Sequence, residues 1–289
     1  MARLKVLIAG QRRGRARRIR RCLQRVGAEV AIGAFTSVRM EEADVVLPLS
    51  GFDTCYLNTV YPEFAGVKFL VPDAATFALC EDKQALFARL VEEGFCDYLP
   101  LPRSGEEVVR KPRIGSGGAM VRAEPWPAPE EQARHAPSWI YQRRLRTDAE
   151  YAGHFLVSAR GEIVLAKAIR YAHGPQIMRR GLRDGAGVPV DIPPAHREVF
   201  AAMLRALGYR GFCCFDYFVE EGRPQVLELN ARPGGSLVRM PAAIGPAYCR
   251  ALRPDLTADW PPIAWPPAVS QGNLLRDLAT RLRPPRPAA

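Results

Sequence analysis

Two carboxylates and an amide, Asp216, Glu228 and Asn230, are spaced so that one face of a small sheet can carry all three. Residues 215–219 and 225–230 are apolar-rich runs joined by the polar stretch Glu220, Glu221, Gly222, Arg223 and Pro224, which predicts a β-hairpin. Alternate strand residues share a face, so Glu228 and Asn230 project together. A turn centred on Gly222 sets Asp216 directly across from Glu228. Hard oxygen ligands with no His or Cys beside them suit Mg²⁺, above all Mg²⁺ that carries nucleotide phosphates. Arg232 and the flexible pair Gly234 and Gly235 follow at once, where they can meet an anion beside such an ion. The alternative is an ordinary hairpin whose acids are merely solvated.

A second feature lies upstream. Lys111 precedes the glycine-rich run Gly115, Ser116, Gly117 and Gly118, between segments that read as strand, loop and strand over residues 108–121. Glycines let backbone N–H groups close on phosphate oxygens with no Cβ in the way, and a lysine beside them adds a compact positive charge. The order differs from the P-loop, because the lysine comes first and no G-K-[ST] follows. A plain glycine-rich hairpin turn is the alternative here.

These groups need elements to hold them. Residues 4–9, 30–32, 44–48 and 67–71 read as strands alternating with helical stretches, a small parallel α/β unit over residues 1–72. The turn from Gly10 to Gly14 lacks the G-x-G-x-x-G spacing of a dinucleotide site. Helical periodicity returns over residues 83–90 and 194–207. Strands are predicted at 140–142, 155–157 and 162–168, with a surface excursion at 123–137. The proline-rich end, from Pro254 on, reads as a wrapping tail with a short helix near 274–282.

The order Glu81-Asp82-Lys83 opening a helix, Lys111 with its glycine loop, then the Asp216/Glu228/Asn230 hairpin resembles the ATP-grasp superfamily, in particular its carboxylate–amine ligases. The resemblance runs from about residue 72 to about residue 245. It implies an α/β fold in which an ATP-grasp domain (73–250, lid subdomain about 98–142) follows a small Rossmann-like pre-ATP-grasp domain (1–72), with a tail at 251–289. It implies that Lys83, Lys111 and Lys167 contact ATP phosphates and that Gly115, Ser116, Gly117 and Gly118 fold over them. Gln142, where the family usually has glutamate, with Arg144 and Leu145 would meet adenine, and Glu150 the ribose. Asp216, Glu228 and Asn230 match the ligands of one or two Mg²⁺ ions, with Mn²⁺ an acceptable substitute. Arg232, Lys111 and Arg239 fall to the transferred phosphoryl group, and Gly235, Ser236 and Arg239 to the substrate, with Asp53, Tyr56, His154 and His173 as weaker candidates. Cys214 stands where some relatives carry an arginine, whose task Arg239 or Arg170 could take.

The activity so implied joins a small carboxylate to an amine by way of an acyl phosphate, with ATP consumed. The compact size is similar to small amino-acid ligases such as 3-methylornithine–lysine ligase or tyramine–glutamate ligase. A non-ligating ATP-binding subunit or sensor, and a bicarbonate-activating enzyme of the carbamoyl-phosphate or carboxylase kind, are the alternatives. Composition agrees with a cytoplasmic enzyme of small molecules: 48% hydrophobic and 25% charged residues, no apolar run of membrane length, and no leader-like N-terminus. The seven cysteines form no C-x-x-C pair and suggest free thiols rather than disulfides or zinc. The net charge of +11 owes much to Arg12, Arg13, Arg15, Arg17, Arg18, Arg20 and Arg21. Ile19, Cys22, Leu23 and Val26 recur at helical spacing through that run, so it reads as the solvent face of an amphipathic helix rather than a nucleic-acid site. A positive field would draw in ATP and anionic substrates. A homodimer is compatible with all of this.

Overall fold

The computed structural model describes residues 3–115, 120–172 and 187–263, with backbone alone for Val238 and Arg239. The first sheet is parallel, in the order β2-β1-β3, from β1 (Lys5–Ala9), β2 (Glu29–Gly33) and β3 (Val45–Leu47). The nearly continuous apolar runs of β1 and β3 suit strands covered on both faces, whereas β2 at the sheet edge stays partly exposed. Helices α1 (Arg13–Arg25), α2 (Ser37–Glu42) and α3 (Gly51–Val60) complete the unit. Ala16, Ile19 and Leu23 form the buried stripe of α1.

Residues 67–71, expected as a strand, do not become one. Only a bridge between Ala65 and Phe69 forms, and Lys68 lends its carbonyl to Val46 N at 2.7 Å. Leu70 bonds instead through both its backbone N–H and carbonyl to the Tyr248 hydroxyl, so a side chain takes the place of a strand partner.

Two short helices follow, α4 (Ala74–Glu81) and α5 (Lys83–Glu92). A second sheet, antiparallel in the order β5-β4-β6, is built from β4 (Glu107–Pro112), β5 (Arg122–Pro125) and β6 (Trp139–Arg143). Helix α6 (Pro129–His135) lies within the surface excursion expected at 123–137 and buries none of its residues, its start helped by proline at the first turn followed by Glu130 and Glu131.

The third sheet runs β11-β10-β7-β8-β9, from β7 (Ala149–Val157), β8 (Ile163–Ala172), β9 (Val188–Val190), β10 (Gly211–Glu220) and β11 (Arg223–Asn230). One of its faces packs on α7 (Pro194–Ala206), where Phe200 meets Phe155, Phe215 and Tyr217 with ring centroids 4.7–5.4 Å apart. The other face must then carry the polar chemistry. Helix α8 (Pro241–Leu252) returns to pack on α1, so its residues and those of the first sheet share one core. No helix among the described residues is long and apolar enough to cross a membrane. The tail helix expected near 274–282 lies outside the described residues.

Candidate active site

The hairpin β10–β11 sets Asp216 opposite Glu228 and Cys214 opposite Asn230. The route to that register differs from the expected turn centred on Gly222. Glu220 pairs with Arg223, so the turn has two residues, Glu221 at φ 50 and Gly222 at φ 76, the left-handed pair that a tight hairpin favours. A bulge then restores the alignment: Tyr217 pairs with Val226 and Asp216 with Glu228, leaving Leu227 without a ladder partner.

The freed carbonyl of Leu227 is put to use. It accepts from Lys111 Nζ at 2.6 Å and from Gln142 Nε2 at 2.9 Å, both side chains reaching across from the β5-β4-β6 sheet. Gln142 thus spends its amide nitrogen on the bulge. A glutamate there would have no proton to offer this carbonyl, which gives a structural reason for glutamine at this position.

Pairing of β10 with β7, and of β7 with β8, extends the polar face. Cys214 lies opposite His154, Asp216 opposite Ala152, and His154 opposite Lys167. Alternation therefore puts Glu150, His154, Lys167, Asp216, Glu228 and Asn230 on one face. Arg170, three residues from Lys167, falls on the other face and pairs with Asp148 at 2.9 Å, so it does not stand in for the arginine missing at Cys214. Lys167 itself is ion-paired with Asp191, a partner without a sequence signal.

Asp216 and Glu228 are two facing carboxylates, and the cations around them answer that repulsion. Lys83 Nζ stands 3.5 Å from Glu228 Oε2 and donates to the carbonyl of Gly115 at 2.5 Å. Burial opposes ionisation of Glu228, but Lys111 and Lys83 outweigh it and hold the carboxyl below the usual range. Burial likewise pulls Lys111 down to about 8, against the upward pull of Glu228. Lys83 is fixed by its helix: Asp82 caps α5 through Gln84 N and Ala85 N, and Arg113 grips Asp82 at 2.6 Å, tying the helix start to the strand that leads into the glycine run. Of that run, Gly115 is described, whereas Ser116, Gly117 and Gly118 lie outside the described residues.

Asn230 donates to Asp216 Oδ2 at 3.3 Å and to Glu228 Oε1 at 3.1 Å, while its Oδ1 accepts from Arg232 Nη2 at 2.9 Å. As placed, the amide nitrogen faces the acids, so an ion held there requires the amide to turn its oxygen inward. Among the described residues no cluster of three His, Cys, Asp or Glu exists, so the amide is needed to complete the donor set. Two carboxylates and one amide oxygen fit a hard divalent ion that keeps waters and phosphate oxygens as further ligands.

Glu150 is buried at the start of β7, and Leu145 is buried nearby in the chain. Arg144 bonds Glu107 Oε1 at 2.5 Å, so its side chain is already engaged. Ser236 Oγ lies 2.8 Å from Nε2 of the buried His154. Gly234 packs so tightly there that a Cβ would come 2.4 Å from His154 Cε1. Gly235 is exposed beside Arg15. The side chain of Arg239 and all of His173 lie outside the described residues. Asp53, a weak substrate candidate, caps α3 with Ser50: Ser50 Oγ accepts from Asp53 N, and Asp53 Oδ2 accepts from Leu49 N and Ser50 Oγ at 2.9 and 2.8 Å. Tyr56 reaches the Phe35 carbonyl at 3.4 Å.

A family model described as an ATP-grasp domain matches residues 80–236. No curated protein sequence matches the chain. Among solved structures, the L-amino acid ligase from Bacillus licheniformis shares the fold at TM-score 0.61 and 16% identity, over 92% of this chain and 78% of that one. A D-alanine–D-alanine ligase from Bacillus anthracis aligns at 0.56 and 15%, over 87% of this chain and 95% of that one. The D-cycloserine synthetase DcsG aligns at 0.60 and 17%, over 87% and 99%.

Proposed function

Because the chain belongs to the ATP-grasp family, we propose that it is an ATP-dependent carboxylate–amine ligase that activates a small acid as its acyl phosphate and passes the acyl group to an amine. The observation that carries this reading is the meeting of Lys83 and Lys111 with Asp216, Glu228 and Asn230 at the bulged hairpin. On this reading residues 1–72 precede an ATP-grasp part at 73–250, with a lid at about 98–142 and a tail at 251–289.

Asp216, Glu228 and Asn230 would hold Mg²⁺, which supplies charge neutralisation to the ATP phosphates when bound. Lys83 and Lys111 bring fixed positive charge to the same phosphates, and Arg232 lies next in line for the group in transfer. Glu150 takes the ribose, and Gln142 holds the bulge beneath the nucleotide. The acid's oxygen attacks the terminal phosphorus of ATP and ADP leaves. The amine nitrogen then attacks the acyl carbon, phosphate departs with the bonding pair, and the nitrogen gives up its proton. Holding three reactants in line accounts for most of the acceleration, so the enzyme needs position more than special reactivity. Amino-acid-scale acid and amine fit the compact chain.

The test is ADP release with Mg²⁺-ATP across a matrix of amino acids and amines. Turnover is expected only with acid and amine together, and Asp216→Ala and Glu228→Ala should each lower it on the order of 100-fold or more. Turnover with bicarbonate alone, or tight ATP binding with none, rejects the proposal.

A further inference from the structure

The arginine run of α1 is not simply a solvated face. A cavity of about 790 Å³ opens at the carboxyl ends of β1 and β2, and Arg13, Arg17 and Arg20 line it together with Phe35, Phe52 and Tyr56. Strand order β2-β1-β3 sets the ends of β1 and β2 side by side, and the residues that follow them, Gln11 and Phe35, both line the cavity. Glycines keep the floor open: Gly10 N bonds Gly33 O at 3.0 Å, and a Cβ on Gly33 would strike the Arg39 guanidinium. Three arginines at i, i+4 and i+7 bring their positive charge to one cavity wall. Among the described residues none of Arg13, Arg17 and Arg20 forms an ion pair, and Arg20 Nε is shielded from solvent without a hydrogen-bond partner. Among the described residues that line the cavity Asp53 is the one carboxylate, and it is committed to Leu49 and Ser50. The opposite wall is aromatic: Phe52 is 62% exposed and stacks on Tyr56 at 6.3 Å.

The cavity adjoins the candidate active site. Its rim residue Phe52 follows Gly51, where a Cβ would lie 3.3 Å from Arg232 Cδ. Arg15, on the neighbouring side of α1, donates to the Leu49 carbonyl at 3.0 Å and flanks Gly235.

We propose that this cavity receives one of the two substrates, and that this substrate bears an oxyanion tail, phosphate or carboxylate, on an aromatic or extended apolar body. The tail lies against Arg13, Arg17 and Arg20, and the body against Phe35, Phe52 and Tyr56, which leaves the reacting end toward Arg232. Guanidinium forks recognise both kinds of oxyanion, and the aromatic wall supplies the apolar area a bare anion lacks. The designation as a substrate site rests on the ligase reading; the binding chemistry does not.

The experiment is calorimetric titration of the full chain, without ATP or Mg²⁺, with phenyl phosphate, terephthalate, inorganic phosphate and benzamide. Phenyl phosphate or terephthalate should bind, the tighter of the two naming the tail, and benzamide should not. The double variant R13A/R17A should weaken the aryl anions tenfold or more, and Phe52→Ala should weaken them while leaving inorganic phosphate unchanged. Lys111→Ala, which removes a cation from the nucleotide site, should bind them as the wild type does. Absence of binding at millimolar probe, equal binding by R13A/R17A, or loss of binding in Lys111→Ala would overturn the proposal, the last by placing the anion in the nucleotide site. Failure to ligate leaves the binding result standing, whereas ligation without this binding removes only the pocket.

Discussion

Lys111 is the residue on which the electrostatics of the candidate site turn. Burial lowers its amine to about 8, below the roughly 10.4 of an exposed lysine. The sign follows from linkage. Folding disfavours the charged amine, a penalty fully present below about pH 8 and relieved as pH rises toward roughly 10.4, so this group alone makes the fold more stable in base. Phosphate binding runs the other way, because it needs the charge. Affinity for metal-free ADP should therefore hold steady to about pH 8 and then fall about tenfold per pH unit, while Lys111→Arg, which stays charged, keeps a flat profile. A wild-type profile that stays level to pH 9.5 in a titration series would remove Lys111 from phosphate binding.

At the scale of elements, the loop after β11 is held by contact rather than by hydrogen bonds alone. A Cβ at Gly234 would come 2.4 Å from His154 Cε1 and 2.8 Å from Cys214 Sγ, both buried side chains. Gly234→Ala should cost about 1–3 kcal/mol in denaturant unfolding, and it should lower ADP release further by displacing Arg232 and Ser236 on either side. Gly235→Ala meets nothing closer than Arg15 at 4.0 Å and should be near neutral in the same unfolding assay. Much of this architecture could be read from the chain: alternating apolar runs marked β1 to β3, and Asp82 before Lys83 marked the start of α5. The carboxylate pairing was legible only in its outcome. Its two-residue turn and the bulge at Leu227 cancel each other in the count, so the expected pairing of Asp216 with Glu228 arises by a different path. What could not be read depends on distant partners. Strands β7 and β8 extend past their apolar cores to 149 and 172 because neighbours on the sheet complete their ladders. Likewise, residues 67–71 fall short of a strand: Tyr248, far along the chain, takes both backbone hydrogen bonds of Leu70, and Val67 and Lys68 turn their N–H groups back to Phe64.

That same tyrosine touches parts of the molecule that lie far apart in the chain. Helix α8 closes over the first sheet, and Tyr248 stacks on Phe212 of β10 with ring centroids 5.3 Å apart. Its hydroxyl accepts from Leu70 N at 2.6 Å and donates to Leu70 O at 3.1 Å, all of it buried. The N-terminal unit, the large sheet and the last described helix therefore meet at one side chain. Gly211 shows how close the approach is, since a Cβ there would lie 2.4 Å from the Leu70 carbonyl. A core shared in this way couples the stability of both units, and calorimetry should record one cooperative transition rather than two. Tyr248→Phe keeps the ring and its stacking but strands a buried N–H and a buried C=O, costing about 1–3 kcal/mol. The single transition should then move down as a unit, by about 2–4 °C for each kcal/mol lost. Two resolved transitions, with only one shifted by the substitution, would show instead that the units unfold independently and that the tyrosine joins surfaces rather than a common core.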